Sequence, residues 1–378
     1  MDAILGEITL TRRRRKLDDI TNGAGLEDVY TVTLSQMGAQ QRNRAKLGIE
    51  VLMWVSHSER PLHVDELRHA LGVGGSIDLD GQNIPAIETL LACTLGLIMV
   101  EKSSSAVRLV HYTLQEYLSQ NLNLFRRPHS MIAEVCLTYL NFPHVRGLSP
   151  FPSSVPLIAP FIGYASCHWG THARRGKNQR VKSLALKLLD EFDKHISSKI
   201  LLCGGLPSWQ WLAHSDYTAR GGLTGRHGAA YFGCVEITVA LLETNRWDVE
   251  ATDFEGNTAM AWAARGGHEG VVKILLEQND VNPNRADTQF SQTPLMWATR
   301  NGHEGVMRIL LERNDVNPDT ADQWGQTPLL WAAENGDEGV VRILLEENKV
   351  NPNRADTQYD RTPLVWATSS VLSRPGPP

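Results

Sequence analysis

Two stretches of this chain, "TPLMWATRNGHEGVMRILLERNDVN" from Thr293 to Asn317 and "TPLLWAAENGDEGVVRILLEENKVN" from Thr327 to Asn351, are near copies of one another. No other feature limits the possible folds as strongly. Thr224, Thr258, Thr293, Thr327 and Thr362 are spaced 34, 35, 34 and 35 residues apart, and Trp262, Trp297, Trp331 and Trp366 keep the same phase. A unit this short cannot bury its apolar face alone, so neighbouring units have to stack.

The wording of each unit predicts its local structure. Threonine before proline starts a helix, the hydroxyl capping a free amide and the proline taking the first helical position. Leu295, Ala298 and Thr299 share one face. Gly302 stands where a left-handed residue ends that first helix. A second helix, Glu304 to Glu312, places Val306, Ile309, Leu310 and Arg313 at helical spacing, a stripe that needs a partner. "NDVNPDTADQWGQ" is then loop and hairpin chemistry.

These residues carry a family resemblance. From Leu223 to about Thr368 the copies resemble the ankyrin repeat, whose pattern begins T-P-L-H and ends near D-V-N. The resemblance implies a mainly α solenoid of paired helices with projecting β-hairpin loops, and a binding role. The loops after Asn282, Asn317 and Asn351 are longer than the family norm, so the hairpins are expected to protrude. The turn glycine is kept at Gly256 and Gly325 but is Ser291 and Asp360 in the other copies, where a positive φ would be strained. The first copy, "TGRHGAAYFG", has lost the proline and leucine and reads as a degenerate junction unit. The last, "TPLVWATSSVLSRPGPP", has no second helix. It reads as a truncated end rather than a genuine short cap, followed by an irregular tail over 369–378.

Ahead of the repeats, "RAKLGIEVLMWVSHS", "HVDELRHALG" and "IPAIETLLACTLG" read as three helices, and "SSAVRLVHYTLQEYLSQ" runs from strand into helix. Three helices and a hairpin describe a winged helix over 38–125, followed by a helical linker over 126–222. A DNA-reading helix needs Arg, Lys, Asn or Gln to reach bases and phosphates. The candidate, Ile84 to Leu95, has Glu88 and no basic residue. "VLMWVSHSERPLHVDELRHALGV", "LVHYTLQEYL" and "FIGYASCHWGTHARRG" resemble the region between the NACHT ATPase and the ankyrin repeats of fungal NLR-like STAND proteins. "LDDITNGAGLEDVYTVTLSQM" resembles the tail of such a NACHT module, within an N-terminal segment 1–37. In that family the histidine of the motif matched by His111 faces the nucleotide β-phosphate; without a nucleotide domain, His111 reads as a strand-end histidine packed at the hairpin.

Catalytic and cofactor chemistry is not legible. "GTHARRGKN" from Gly170 has the wrong spacing for a P-loop, and Asn178 stands where Ser or Thr is needed. "HEGVV" and "HEGVM" begin like H-E-x-x-H, but Val272 and Met307 replace the second histidine. "CHWGTH" groups Cys167, His168 and His172, but a closed metal site needs four ligands and no supporting pattern follows. The chain therefore reads as non-enzymatic, without cofactor or metal.

Bulk composition agrees. The 378 residues suffice for two or three domains, and a net charge of -5 exerts no overall pull on nucleic acid. The longest apolar run, Leu90 to Val100, has 11 residues, too few for a membrane helix. Five scattered cysteines fit reduced thiols in the cytoplasm. "RRRRK" at Arg12 to Lys16 leaves the nucleus open but reads first as a solvated tail.

The expected partner is a protein held on the concave ankyrin surface. Candidate residues at the hairpin tips are Phe254, Glu255, Phe290, Gln292, Trp324, Gln326 and Tyr359; those at the first-helix ends are Arg265, Arg300, Asn301, Glu334 and Asn335. The tip aromatics are either interface anchors or braces between hairpins, whereas the helix tryptophans stand at core positions. Thr258 to Arg361 holds 16 acidic and 10 basic residues, a net of -6, which points to a basic or mixed polar segment.

Overall fold

The computed structural model describes residues 25–73, 83–121, 123–148, 159–176, 178–202, 223–244, 248–347 and 349–373. The Arg12–Lys16 run lies outside them, as does the chain beyond residue 373. The chain divides into two compact units, Met1–Val181 with Gly204–Trp209, and Lys182–Cys203 with Gln210–Pro378. The stretch expected to form one helical linker is thus shared between them.

In the first unit, α1 (Leu26–Gly38) precedes the order α2 (Arg42–His57), β1 (Leu62–His63), α3 (Val64–Gly72), α4 (Ile87–Cys93), β2 (Ile98–Val100) and β3 (Ala106–Leu109). The strands form one antiparallel sheet, β1-β3-β2, with Leu62 opposite Val107 and Met99 opposite Arg108. This is the winged-helix order expected from the sequence. His63 and Glu66 cap α3 reciprocally, and Arg60 holds the Glu66 carboxylate at 2.6 Å. The helix α5 (Tyr112–Gln120) begins at its N-cap His111, whose Nδ1 accepts from the Thr113 amide at 3.3 Å.

Behind the wing, α6 (Pro128–Leu140), α7 (Pro143–Arg146) and α8 (Ile162–Arg175) surround an aromatic core. Trp54 meets Phe161 edge-on at 5.6 Å, and Phe161 stacks on Tyr164 at 5.7 Å. The ring of His168 lies against Tyr164 at 4.7 Å. His172 is fully buried, and that burial, with His129 beside it, pushes its imidazole down to about 3. Cys93 and Cys136 are buried free thiols.

The helix α9 (Gln179–Leu189) spans the division between the units. In the second unit a 3-10 turn (Phe192–Lys194) and α10 (Ile196–Leu202) come first, followed by the repeats. First helices are α11 (Gly225–Phe232), α13 (Ala259–Arg265), α15 (Pro294–Arg300), α17 (Pro328–Asn335) and α19 (Pro363–Ser373). Second helices are α12 (Val235–Glu243), α14 (Glu269–Leu276), α16 (Glu304–Leu311) and α18 (Glu338–Leu345). First helices pack in one row and second helices in another, so the apolar faces between neighbouring repeats are covered. Thr258, Thr293 and Thr327 cap their helices as expected, and Gly233, Gly267, Gly302 and Gly336 take positive φ just past the first helices. Arg313 leaves the stripe of α16, its guanidinium bonding Asp315 and the Leu276 carbonyl. The "HEG" histidines are stitches: His268 Nε2 donates to the Tyr231 carbonyl at 2.8 Å and His303 Nε2 to the Arg265 carbonyl at 3.0 Å.

Both ends of the array depart from the repeat. At α11 the missing proline has a steric cause, because a Cβ at Gly225 would overlap the Leu189 carbonyl oxygen. At the other end, the irregular tail expected from residue 369 is helical as far as Ser373. Val371 stands at the repeat position where Gly267, Gly302 and Gly336 stop their helices. Leu364 there is 74% exposed, where its counterparts Leu295 and Leu329 are buried.

His227 fills the junction repeat. Its Nδ1 accepts from the Thr224 amide at 3.1 Å, and its Nε2 donates to the Ala251 carbonyl at 3.1 Å. The bond accepted at Nδ1 requires the neutral ring, and burial lowers its pKa. The unfolded state therefore binds the extra proton first, so this contribution is present above about pH 6.5 and lost as pH falls below it. Urea midpoints taken from about pH 7.5 to about pH 5.5 are expected to fall less in His227→Gln than in the parent chain.

Candidate partner-binding face

Each repeat hairpin is organised by one aspartate. Asp253 Oδ1 accepts from the amides of Glu255 and Asn257 at 2.9 and 2.8 Å, and its Oδ2 takes Trp262 Nε1 at 2.9 Å. Asp322 does the same for Trp324, Gln326 and Trp331, and Asp356 for Gln358, Tyr359 and Trp366. Asp287 differs. Its oxygens are taken by the amides of Gln289, Phe290 and Gln292. Trp297 Nε1, buried, finds no acceptor among the described residues. The hairpins are also tied together, Thr288 to the Glu255 carbonyl, Gln323 to that of Phe290 and Thr357 to that of Trp324.

The tryptophans form a row along the first helices, three of their indoles fixed by aspartates, and arginines from the helix ends lie between them. The Arg265 guanidinium is 5.1 Å from the Trp262 ring and 4.7 Å from that of Trp297. Arg300 is 5.8 Å from Trp297 and 4.7 Å from Trp331. Arg361 covers Tyr359 and Trp366 at 5.2 and 5.0 Å. Each such contact contributes roughly 0.5–1 kcal/mol at an exposed site, so the ladder holds the arginines in place while Arg265 and Arg300 keep their outer surfaces in solvent. Glu255 lies near this row, its carboxyl raised by burial and by the charge of Asp253.

The sequence candidates occupy different environments. Phe290 and Trp324 stack on each other at 5.5 Å, both half-buried, and Tyr359 is 55% exposed against Trp366. Phe254 and Glu255 are half-buried. Arg300, Asn301 and Asn335 are exposed, and Glu334 accepts from Gln326 at 3.4 Å. Gln292 and Gln326 do not lie on an open surface: they are 1% and 8% exposed, tucked beneath their hairpins. Sequence reasoning placed Arg265 at a first-helix end but missed the aspartate row. The available signal was that Asp253, Asp287, Asp322 and Asp356 keep phase with the tryptophans.

The winged-helix order, the two helical rows and the hairpins together define a class of chain, and comparison with known families agrees. Residues 33–128 match the model of the GPI inositol-deacylase winged helix domain, and residues 226–322 and 314–373 match that of ankyrin repeats. The chain carries both. It is also similar to "Azaphilone pigments biosynthesis cluster protein L" of Monascus ruber, 27% identical over 264 residues that make up 60% of this chain and 54% of that protein. The chain thus spans about half the length of this relative. Among the described residues no helix is long and apolar enough to cross a membrane.

Proposed function

We propose that the second unit is a non-catalytic protein-interaction module, capturing a partner on the concave first-helix face of its ankyrin repeats. The observation that carries this reading is the ladder of tryptophans and arginines. Rigid aromatic and guanidinium groups are the side chains most enriched at interface hot spots, and here they are fixed before a partner arrives. The exposed outer surfaces of Arg265 and Arg300 favour a mixed polar segment whose acidic side chains meet them, with Asn301, Glu334 and Asn335 at the rim. Of the basic and mixed polar segments that net charge suggested, this favours the mixed one, because the hairpin aspartates spend their oxygens inside the loops.

The winged helix and the resemblance of "FIGYASCHWGTHARRG" and its neighbours support placing this module in an NLR-like signalling protein. A second reading, the regulatory half of an ATP-dependent NACHT protein, rests on the same resemblance and on His111 at its strand-to-helix junction. A strand followed by G-x-x-x-x-G-K-[ST] in the coding sequence upstream would favour it.

Full-length chain carrying Arg265→Glu and Arg300→Glu is expected to lose partner capture while keeping the parent circular dichroism. Phe290→Ala with Trp324→Ala should weaken capture if the tips are anchors. Capture that survives the arginine reversals overturns the face.

A further inference from the structure

We propose that Glu59, His129 and His172 bind one divalent metal ion of the zinc type where the chain just past α2 meets α6 and α8 in the first unit. One ligand atom from each residue lies within 4.8 Å of the other two. The three come from distant parts of the sequence, which is why "CHWGTH" alone predicted no site. Of its two histidines, only His172 takes part.

The geometry resembles a ligand set more than an ordinary polar cluster. His172 Nε2 is bonded to the Tyr164 hydroxyl at 2.9 Å, which fixes the ring and leaves Nδ1 facing His129 Nδ1 at 2.8 Å. Two imidazole nitrogens thus face each other within one metal's reach. Tetrahedral zinc, with Zn–N bonds of about 2.0–2.1 Å, sets its ligand atoms about 3.3 Å apart, so a separation of about half an ångström more would admit the ion. The same Tyr164 hydroxyl accepts from the Glu59 amide at 3.2 Å, so one outer group orients two of the three ligands.

The donor set selects the metal. Two imidazoles and one carboxylate, with a fourth position left for water, suit zinc; calcium and magnesium require mostly oxygen. Glu59 brings a carboxylate oxygen within 4.8 Å of an imidazole nitrogen of each histidine and at present pairs with Arg175, whose side chain is 46% exposed. A dication replaces the guanidinium as the counter-charge, and Arg175 turns outward into solvent. Glu59 lies at the solvent edge, which provides the entry path.

Chelator-treated full-length chain would be titrated calorimetrically with zinc chloride. The expected result is one tight site, with His129→Gln weakening it by more than the roughly 10–100-fold that loss of an outer-shell partner costs. Tyr164→Phe should fall within that range. Arg175→Gln should tighten binding, a gain that damaged folding cannot imitate, and His63→Gln, altering a histidine elsewhere on the unit, should change nothing. Cobalt should give the intense visible absorption of a tetrahedral site in the parent and lose it in His129→Gln. The proposal fails if the parent takes zinc no more tightly than His129→Gln, or if Arg175→Gln binds more weakly.

Discussion

Gly225→Pro, which would restore the T-P opening that Thr293–Pro294, Thr327–Pro328 and Thr362–Pro363 carry, is expected to destabilise the repeat unit by about 3 kcal/mol or more. Proline at the first helical position normally helps, by roughly 0.4–1 kcal/mol where the backbone accepts it. Here the side-chain space is taken. A Cβ at Gly225 meets the Leu189 carbonyl oxygen and its carbon, backbone atoms that cannot rotate aside. The neighbouring Gly228 is similarly close to the ring of Phe192. The first repeat helix approaches α9 and the 3-10 turn more closely than any Cβ permits, so motif repair becomes overpacking. Gly225→Ala should show most of the same loss in urea unfolding of the full chain. A rise in the midpoint for Gly225→Pro would mean that α9 can move away.

Asp253→Ala is expected to cost about 3–4 kcal/mol, because it strands two backbone amides and the Trp262 indole in a buried site at about 1–3 kcal/mol for each unpaired group before relaxation. Asp253 itself is 6% exposed, so water cannot readily replace the carboxylate. The tryptophans supply an internal control. Trp262→Phe leaves an Asp253 oxygen without its indole donor and should cost at least about 1 kcal/mol. Trp297→Phe removes an N–H that has no acceptor among the described residues, and should be nearly neutral apart from lost ring area. Equal losses in the two variants would show that the indole bond does not organise the hairpin.

Periodicity made the repeat architecture legible because threonine caps, glycine stops and apolar stripes are local devices written anew in each copy. The winged helix was legible for the same reason, its elements following one another with short connections. The candidate face was less so. Trp262 and Trp297 are buried, as their positions suggested, yet their edges also build the ladder, and a sequence does not show that one ring serves both neighbours. Gln292 and Gln326 looked like tip residues, but in a long and a short hairpin alike the residue before the capping threonine is buried. The cluster of Glu59, His129 and His172 left no sequence trace because it depends on the meeting of three separate elements.

The alternation of hairpin lengths reaches beyond packing. Asp253 closes its loop onto Asn257 and Asp322 onto Gln326, whereas Asp287 and Asp356 close onto Gln292 and Arg361, one residue further on. The longer loops turn on Ser291 and Asp360 at φ 59 and 54, the shorter on Gly256 and Gly325. "VNPNRADTQ" is identical at Val281 and at Val350, 69 residues later, and differs from the intervening "VNPDTADQW". The period that restores both loop length and wording is therefore a pair of repeats. Only an even change in repeat number would keep every long loop beside a short one.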